Sequence, residues 1–295
     1  MLLPALLLAA CKAPETRPAG VHYVTTIAPF AAILTPVVGG RGTVRALLAA
    51  GASPHTHDPR PSDVRAVAGG TALFYGAEHL DAWAVDLEAP AHVALLDLVP
   101  EAYRLALPAG VGEEHPDGID PHFWTDPLAI RAMLPALADT LCALDAEGCP
   151  AYRANATVFA TELDTLDAQL RTMLVPVRGV PVMLAQPFFL YFLRRYEVPV
   201  AGVVEVIPGK EATPRALQQY IEQARRQGVR ALFVQSQLPA RSAQAVGEAA
   251  GLPLYPLDPL GGQAGRATYA ELLLYNARII REALMTASKP SHPVP

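Results

Sequence analysis

Between residues 21 and 100, short apolar runs alternate with stretches whose apolar positions recur every three or four residues. Residues 22–27, 43–48, 71–75 and 92–96 read as strands, and 30–38, 61–68 and 80–87 as the helices between them. Strands separated by helices lie parallel, because each connection must cross back over the sheet. The alternation resumes further on, with strand-like runs at 182–185, 200–204, 231–234 and 254–255 and helix-like segments at 188–196, 214–227, 240–250 and 268–285. Residues 151–174 differ. Phe159, Leu163, Leu166, Leu170 and Met173 form one apolar stripe, with Glu162, Asp164, Asp167 and Arg171 outside it. At 1.5 Å per residue that segment makes a helix roughly 36 Å long, enough to run along two domains. Residues 97–121 show no period and read as a surface excursion. The expected fold class is therefore α/β: two βα lobes with parallel sheets, joined by one long linker helix, with a ligand cleft between the lobes at the carboxyl ends of the strands.

Composition supports two such cores. Of 295 residues, 52% are hydrophobic and 17% charged, so the apolar content must be buried or lie in a membrane. The membrane candidate, residues 2–10, is an apolar run that would make about 14 Å of helix, under half of a bilayer core. It ends in Leu8-Ala9-Ala10-Cys11, which resembles the lipobox of a lipoprotein signal, leaving Cys11 as the lipidated residue and 12–20 as a polar, Pro-rich tether. No Lys or Arg precedes the run, which points to a start further upstream. The net charge of −5 is spread out and no Lys/Arg cluster could neutralise a run of phosphates, which argues against nucleic acid. Cys142 and Cys149 form an even pair in a chain with export signals, favouring a disulfide; the bridge needs a chain reversal at 145–148, since on one helix the two would lie about 10 Å apart. A C-x6-C zinc pair is the rival, and it lacks two further ligands nearby.

Two loops carry the chemistry. Gly51-Ala52-Ser53-Pro54-His55 and Asp120-Pro121-His122-Phe123-Trp124 each place an imidazole directly after proline, whose fixed φ stiffens the backbone that presents it. Far downstream, Pro256-Leu257-Asp258-Pro259-Leu260 offers a carboxylate after a strand. In this order and spacing, over roughly residues 22 to 285, the segments resemble the ligand loops of the metal-specific solute-binding proteins of bacterial ABC importers, the zinc- and manganese-type (cluster A-I) lipoproteins. The resemblance implies His55, His122 and Asp258 as metal ligands and a linker helix that limits hinge motion. Where the family presents a His or a Glu after the first strand of the second lobe, this chain has Gln186, either a neutral oxygen ligand better suited to manganese than to zinc or only a hydrogen-bond partner beside the site.

The remaining polar residues have simpler readings. His57, two residues from His55, points the other way, toward solvent or as a weak additional ligand; His115 is a poor remnant of a His-rich loop; His22, His79, His92 and His292 read as structural. Glu205 follows a strand and could approach the cleft as a fifth ligand or pair with a cation, while Phe123 and Trp124 pack the second loop. Gly261-Gly262-Gln263-Ala264-Gly265 lacks the Lys-Ser/Thr of a phosphate loop and reads as a turn.

The expected organisation is a signal, lipobox and tether at 1–20, an N-terminal lobe at 21–145, a linker helix at 146–178, a C-terminal lobe at 179–288 and a tail at 289–295. The expected function is capture of a divalent zinc or manganese ion outside the cytoplasm by a lipid-anchored monomer, and its delivery to an ABC permease. A metallohydrolase using the same centre is the rival; it would need Glu205 above a metal-bound water, and no H-E-x-x-H or G-x-S-x-G segment is present. A surface adhesin that has lost metal binding is the third reading, with Gln186 as its support.

Overall fold

The computed structural model describes residues 20–107, 118–205 and 212–286. Cys11 with the leader and most of the tether, His115, and the tail with His292 lie outside them.

In the first lobe, β1 (Val21–Thr25) runs parallel to β2 (Gly42–Ala46) and to β3 (Ala72–Tyr75), and β3 to β4 (His92–Ala94). Their order is β2-β1-β3-β4. Helices α1 (Ala28–Val38) and α2 (Pro61–Ala68) make crossovers, and both begin with proline in the first turn, where its missing N–H costs nothing. The second lobe repeats the plan with β5 (Val182–Leu184), β6 (Val200–Val203), β7 (Leu232–Gln235) and β8 (Leu254–Leu257) in the order β6-β5-β7-β8, all parallel. Every residue of β3 and β5 is buried, as expected of inner strands covered on both faces.

The expected helix at 80–87 is instead one turn, α3 (Glu78–Asp81), followed by a 3-10 turn at Ala82–Ala84. Asp81 breaks it. Its buried carboxylate accepts the backbone N–H groups of Gly76 and Ala77 and the Thr26 hydroxyl, and its backbone leaves helical φ. Burial pushes this carboxyl up to about 6. The excursion at 97–121 is also more structured than its lack of period implies. A short helix, α4 (Leu95–Leu98), leads into it; an antiparallel bridge pairs Ala106 with Ile119, the Tyr191 hydroxyl accepts the Leu105 N–H at 2.8 Å, and Asp120 is fully buried.

The expected elements do not include α5 (Pro127–Leu144). Asp126 caps it by accepting the Leu128 N–H at 2.9 Å, and Pro135 sits inside it. By length and composition it is the one helix among the described residues that could cross a membrane, yet Ile130, Met133, Leu134, Leu137 and Leu141 are fully buried in the core. It packs antiparallel to α6 (Cys149–Leu174), and a disulfide joins Cys142 to Cys149 across the reversal, with Cα atoms 4.5 Å apart. Closing an eight-residue loop contributes roughly 2 to 3 kcal/mol. Asp145 holds the same turn, receiving Arg41 at 2.7 and 2.8 Å and the Tyr152 hydroxyl at 2.6 Å; the guanidinium keeps its carboxyl well below the usual range.

Helix α6 touches both lobes, packing on α1 and α5 of the first and on α10 (Tyr269–Thr286) of the second. Its stripe of Phe159, Leu163, Leu166 and Leu170 is buried as the spacing requires. Asp167, expected outside, is buried, because it accepts both the Tyr196 hydroxyl and the Arg171 guanidinium. Tyr196 closely follows α7 (Leu190–Arg195), whose Arg195 in turn reaches the first lobe to pair with Asp126 at 2.6 Å. The lobes are thus tied by a continuous helix and by buried polar links beside it. Helices α8 (Pro214–Gln227) and α9 (Arg241–Ala250) complete the second lobe.

Candidate metal centre

The first-lobe half of the centre is built by two short turns. His55 lies in a 3-10 turn, Pro54–Thr56, beyond the carboxyl end of β2. The Pro54 carbonyl accepts the Trp83 indole N–H at 3.0 Å, so the residue before the imidazole is fixed twice, by its ring and by its hydrogen bond. His57 does not face solvent: its ring stacks edge-on against Trp83 at 4.5 Å and its Nε2 lies 3.2 Å from Asp63, which makes it a packing residue of the loop. His122 opens the turn Phe123–Thr125 that leads into α5. Asp120 Oδ1 receives its backbone N–H at 2.9 Å and its Nδ1 at 2.7 Å. A carboxylate only accepts here, so Nδ1 carries the proton and the Nε2 lone pair is left for a metal. The His55 and His122 rings sit 5.8 Å apart between centroids, a spacing that lets one ion about 2.1 Å from a nitrogen of each ring serve both.

The second-lobe half is arranged along the carboxyl edge of its sheet. Gln186 follows β5, and Glu205 follows the neighbouring β6; both are buried, and the Gln186 amide donates to Glu205 at 2.8 Å. With its N–H group committed, Gln186 leaves a buried carbonyl oxygen, Oε1, without a hydrogen-bond donor among the described residues. A buried acceptor without a donor costs about 1–3 kcal/mol, which a cation would offset. Asp258 follows β8 and is 1% exposed. Its Oδ1 accepts the N–H groups of Leu260 and Gly261, each at 3.0 Å, and the Gln237 amide at 2.7 Å, while Oδ2 takes Arg266 at 2.8 Å. Asn276 of α10 clamps the Asp258 backbone on both sides.

His55 and His122 are therefore brought together, whereas Gln186 and Asp258 each face a partner of their own. Among the described residues no three His, Cys, Asp or Glu side chains converge as a ready-made metal cage. The two halves are nevertheless joined: the Trp124 indole, two residues from His122, donates to the carbonyl of Pro259, one residue from Asp258, at 2.9 Å, and the Trp124 carbonyl accepts the Tyr269 hydroxyl at 2.8 Å. Phe123 and Trp124 are buried and stack against Phe30 of α1, which is the packing role their position suggests. Asp120, Gln237 and Arg266 join the centre as supporting partners that the ligand motifs do not include. Asp120 alone had a local signal, lying two residues from a histidine in an Asp-Pro-His segment. Among the described residues Glu205 meets no cation; its carboxylate accepts the Gln186 amide.

Residues 24–283 match the family model described as the periplasmic zinc-uptake complex component A. The chain is 30% identical to the high-affinity zinc uptake system protein ZnuA of Paracoccus denitrificans, over 91% of this chain and 94% of that protein. It is 24% identical to the manganese-binding lipoprotein MntA of Halalkalibacterium halodurans over 94% of each. The fold is similar to that of the periplasmic zinc-binding protein TroA from Treponema pallidum, with a TM-score of 0.77, 24% identity, and coverage of 90% of this chain and 99% of that one.

Proposed function

This chain belongs to that zinc-uptake family, and from this membership and the site geometry we propose that it captures one zinc or manganese ion outside the cytoplasm and hands it to the permease of an ABC importer. It is a substrate-binding transport protein rather than an enzyme. The observation that carries the metal reading is the paired imidazoles, His55 and His122 at 5.8 Å, with the His122 tautomer set by Asp120. His55 and His122 supply neutral nitrogens, Asp258 the carboxylate and Gln186 its Oε1. One carboxylate neutralises a divalent charge only in part, which suits a cargo that must be released. Cys11 carries the lipid anchor, as the lipoprotein relatives support, and the protein acts as a monomer. Residues 21–145 and 179–288 form the lobes and 146–178 the link.

Protein purified without added metal and then titrated with zinc and with manganese in competition should take up one ion per chain. Its affinity for that ion should fall as the medium is acidified, because a protonated ring has no lone pair to give. Absence of stoichiometric uptake of either metal would overturn the assignment.

A further inference from the structure

We propose that Arg266 is a built-in competitor for the cargo ion: its guanidinium occupies Asp258 in metal-free protein, and capture of the ion displaces it. The inference rests on Asp258 being a ligand, as proposed above. Every oxygen of that buried carboxylate is already in use, and the group on Oδ2 is a full positive charge at 2.8 Å. The donors on Oδ1 are neutral and can stay when a metal binds, since they orient the carboxylate and leave a lone pair. Arg266 cannot share the site on the same terms. A divalent ion on Oδ2 would stand at near-contact distance from the guanidinium in a place sheltered from water, where like charges repel strongly.

Leaving Asp258 would not strand the arginine. Arg266 also donates to the Gln263 side chain at 2.8 Å and lies over the Tyr275 ring at 4.4 Å, so two partners remain. It ends a tight, glycine-rich loop. Gly261, Gly262 and Gly265 have φ of +59°, +77° and +76°, a region open to glycine, and the loop closes on itself through Gly262 N–H to the Arg266 carbonyl at 3.0 Å. The same loop lies against the first lobe. A Cβ on Gly262 would stand 3.0 Å from the Ala28 side chain and 3.4 Å from that of Ala50, at the root of the segment that presents His55. Displacing Arg266 therefore carries the loading of the site to the seam between the lobes, and its competition weakens retention so that the ion can be passed on.

The test is a set of zinc and manganese titrations on the full chain, with melting curves recorded with and without metal. Arg266→Gln removes the charge and should tighten both metals at least tenfold, lower the melting temperature of metal-free protein, and enlarge the rise produced by metal. Arg266→Lys retains the charge and should stay within about threefold of the parent. Unchanged or weaker binding in Arg266→Gln, or equal tightening in both variants, would overturn the competition and leave Arg266 an orienting partner of Asp258. Asp258→Asn separates the two claims: loss of binding there with no gain in Arg266→Gln defeats only this inference, whereas parental binding in Asp258→Asn defeats the ligand assignment on which it rests.

Discussion

Replacing His55 or His122 with alanine is expected to weaken zinc and manganese binding at least tenfold, but the two variants should differ in stability. Each loses a nitrogen donor from a pair of rings 5.8 Å apart, and His57, held on Trp83 and Asp63, is not free to replace it. His55 is half-buried, so its removal should cost less stability than removal of the more deeply buried His122. His122 is 5% exposed and its ring donates to a fully buried carboxylate. Without the ring, Asp120 keeps only a backbone N–H, and a buried group short of a partner costs about 1–3 kcal/mol. Asp120→Asn isolates the tautomer effect: an amide there can offer N–H in place of oxygen to Nδ1, and losses of about 10–100-fold are typical when such a supporting partner of a metal histidine is changed. Isothermal titration with parallel melting curves checks all three. Unaltered affinity in both alanine variants would remove the site from the first lobe.

The second large effect is one of selectivity. Gln186→His should raise zinc affinity at least tenfold, or about 1.4 kcal/mol, and manganese affinity by less, because a third nitrogen donor favours zinc over a site richer in oxygen. Glu205 makes the outcome specific. It already receives the Gln186 amide at 2.8 Å and would receive one imidazole N–H in the same way, leaving the other ring nitrogen facing the cleft. Glu205 would then stand to residue 186 as Asp120 stands to His122. The combined variant Gln186→His, Glu205→Gln should accordingly forfeit much of the gain. Equal changes for both metals, or none, would show that residue 186 lies outside the coordination sphere.

The parts of the centre that could be read from sequence are those determined over a few residues. A Pro-His pair states its own stiffness, and Asp-Pro-His brings carboxylate and imidazole together within one turn. The chemistry of the second lobe depends on longer reach. Gln186 meets Glu205 because adjacent strands end side by side, and Asp258 meets Gln237 and Arg266 from two other loops. No spacing within either segment announces those choices. The fold shows the same division. The βα alternation and the stripe of α6 follow directly from periodicity; α5 carries the same three-and-four spacing in Ile130, Met133, Leu134, Leu137 and Leu141, with Pro135 interrupting the run on its exposed side. The turn of α3 stops short of the expected helix because its terminator is a buried acid, Asp81, whose partners come from the ends of β1 and β3.

The chain has two tryptophans, and each indole N–H donates to the carbonyl of a proline adjoining a proposed ligand: Trp83 to Pro54, next to His55, and Trp124 to Pro259, next to Asp258. Trp124 also lies 5.2 Å from the His122 ring. No indole is present elsewhere to dilute the signal. Intrinsic fluorescence should therefore act as an unlabelled gauge of occupancy, with a shift in emission that saturates at one ion per chain and permits stopped-flow measurement of capture and release. An emission spectrum indifferent to bound zinc would mean that neither proline carbonyl feels the ion.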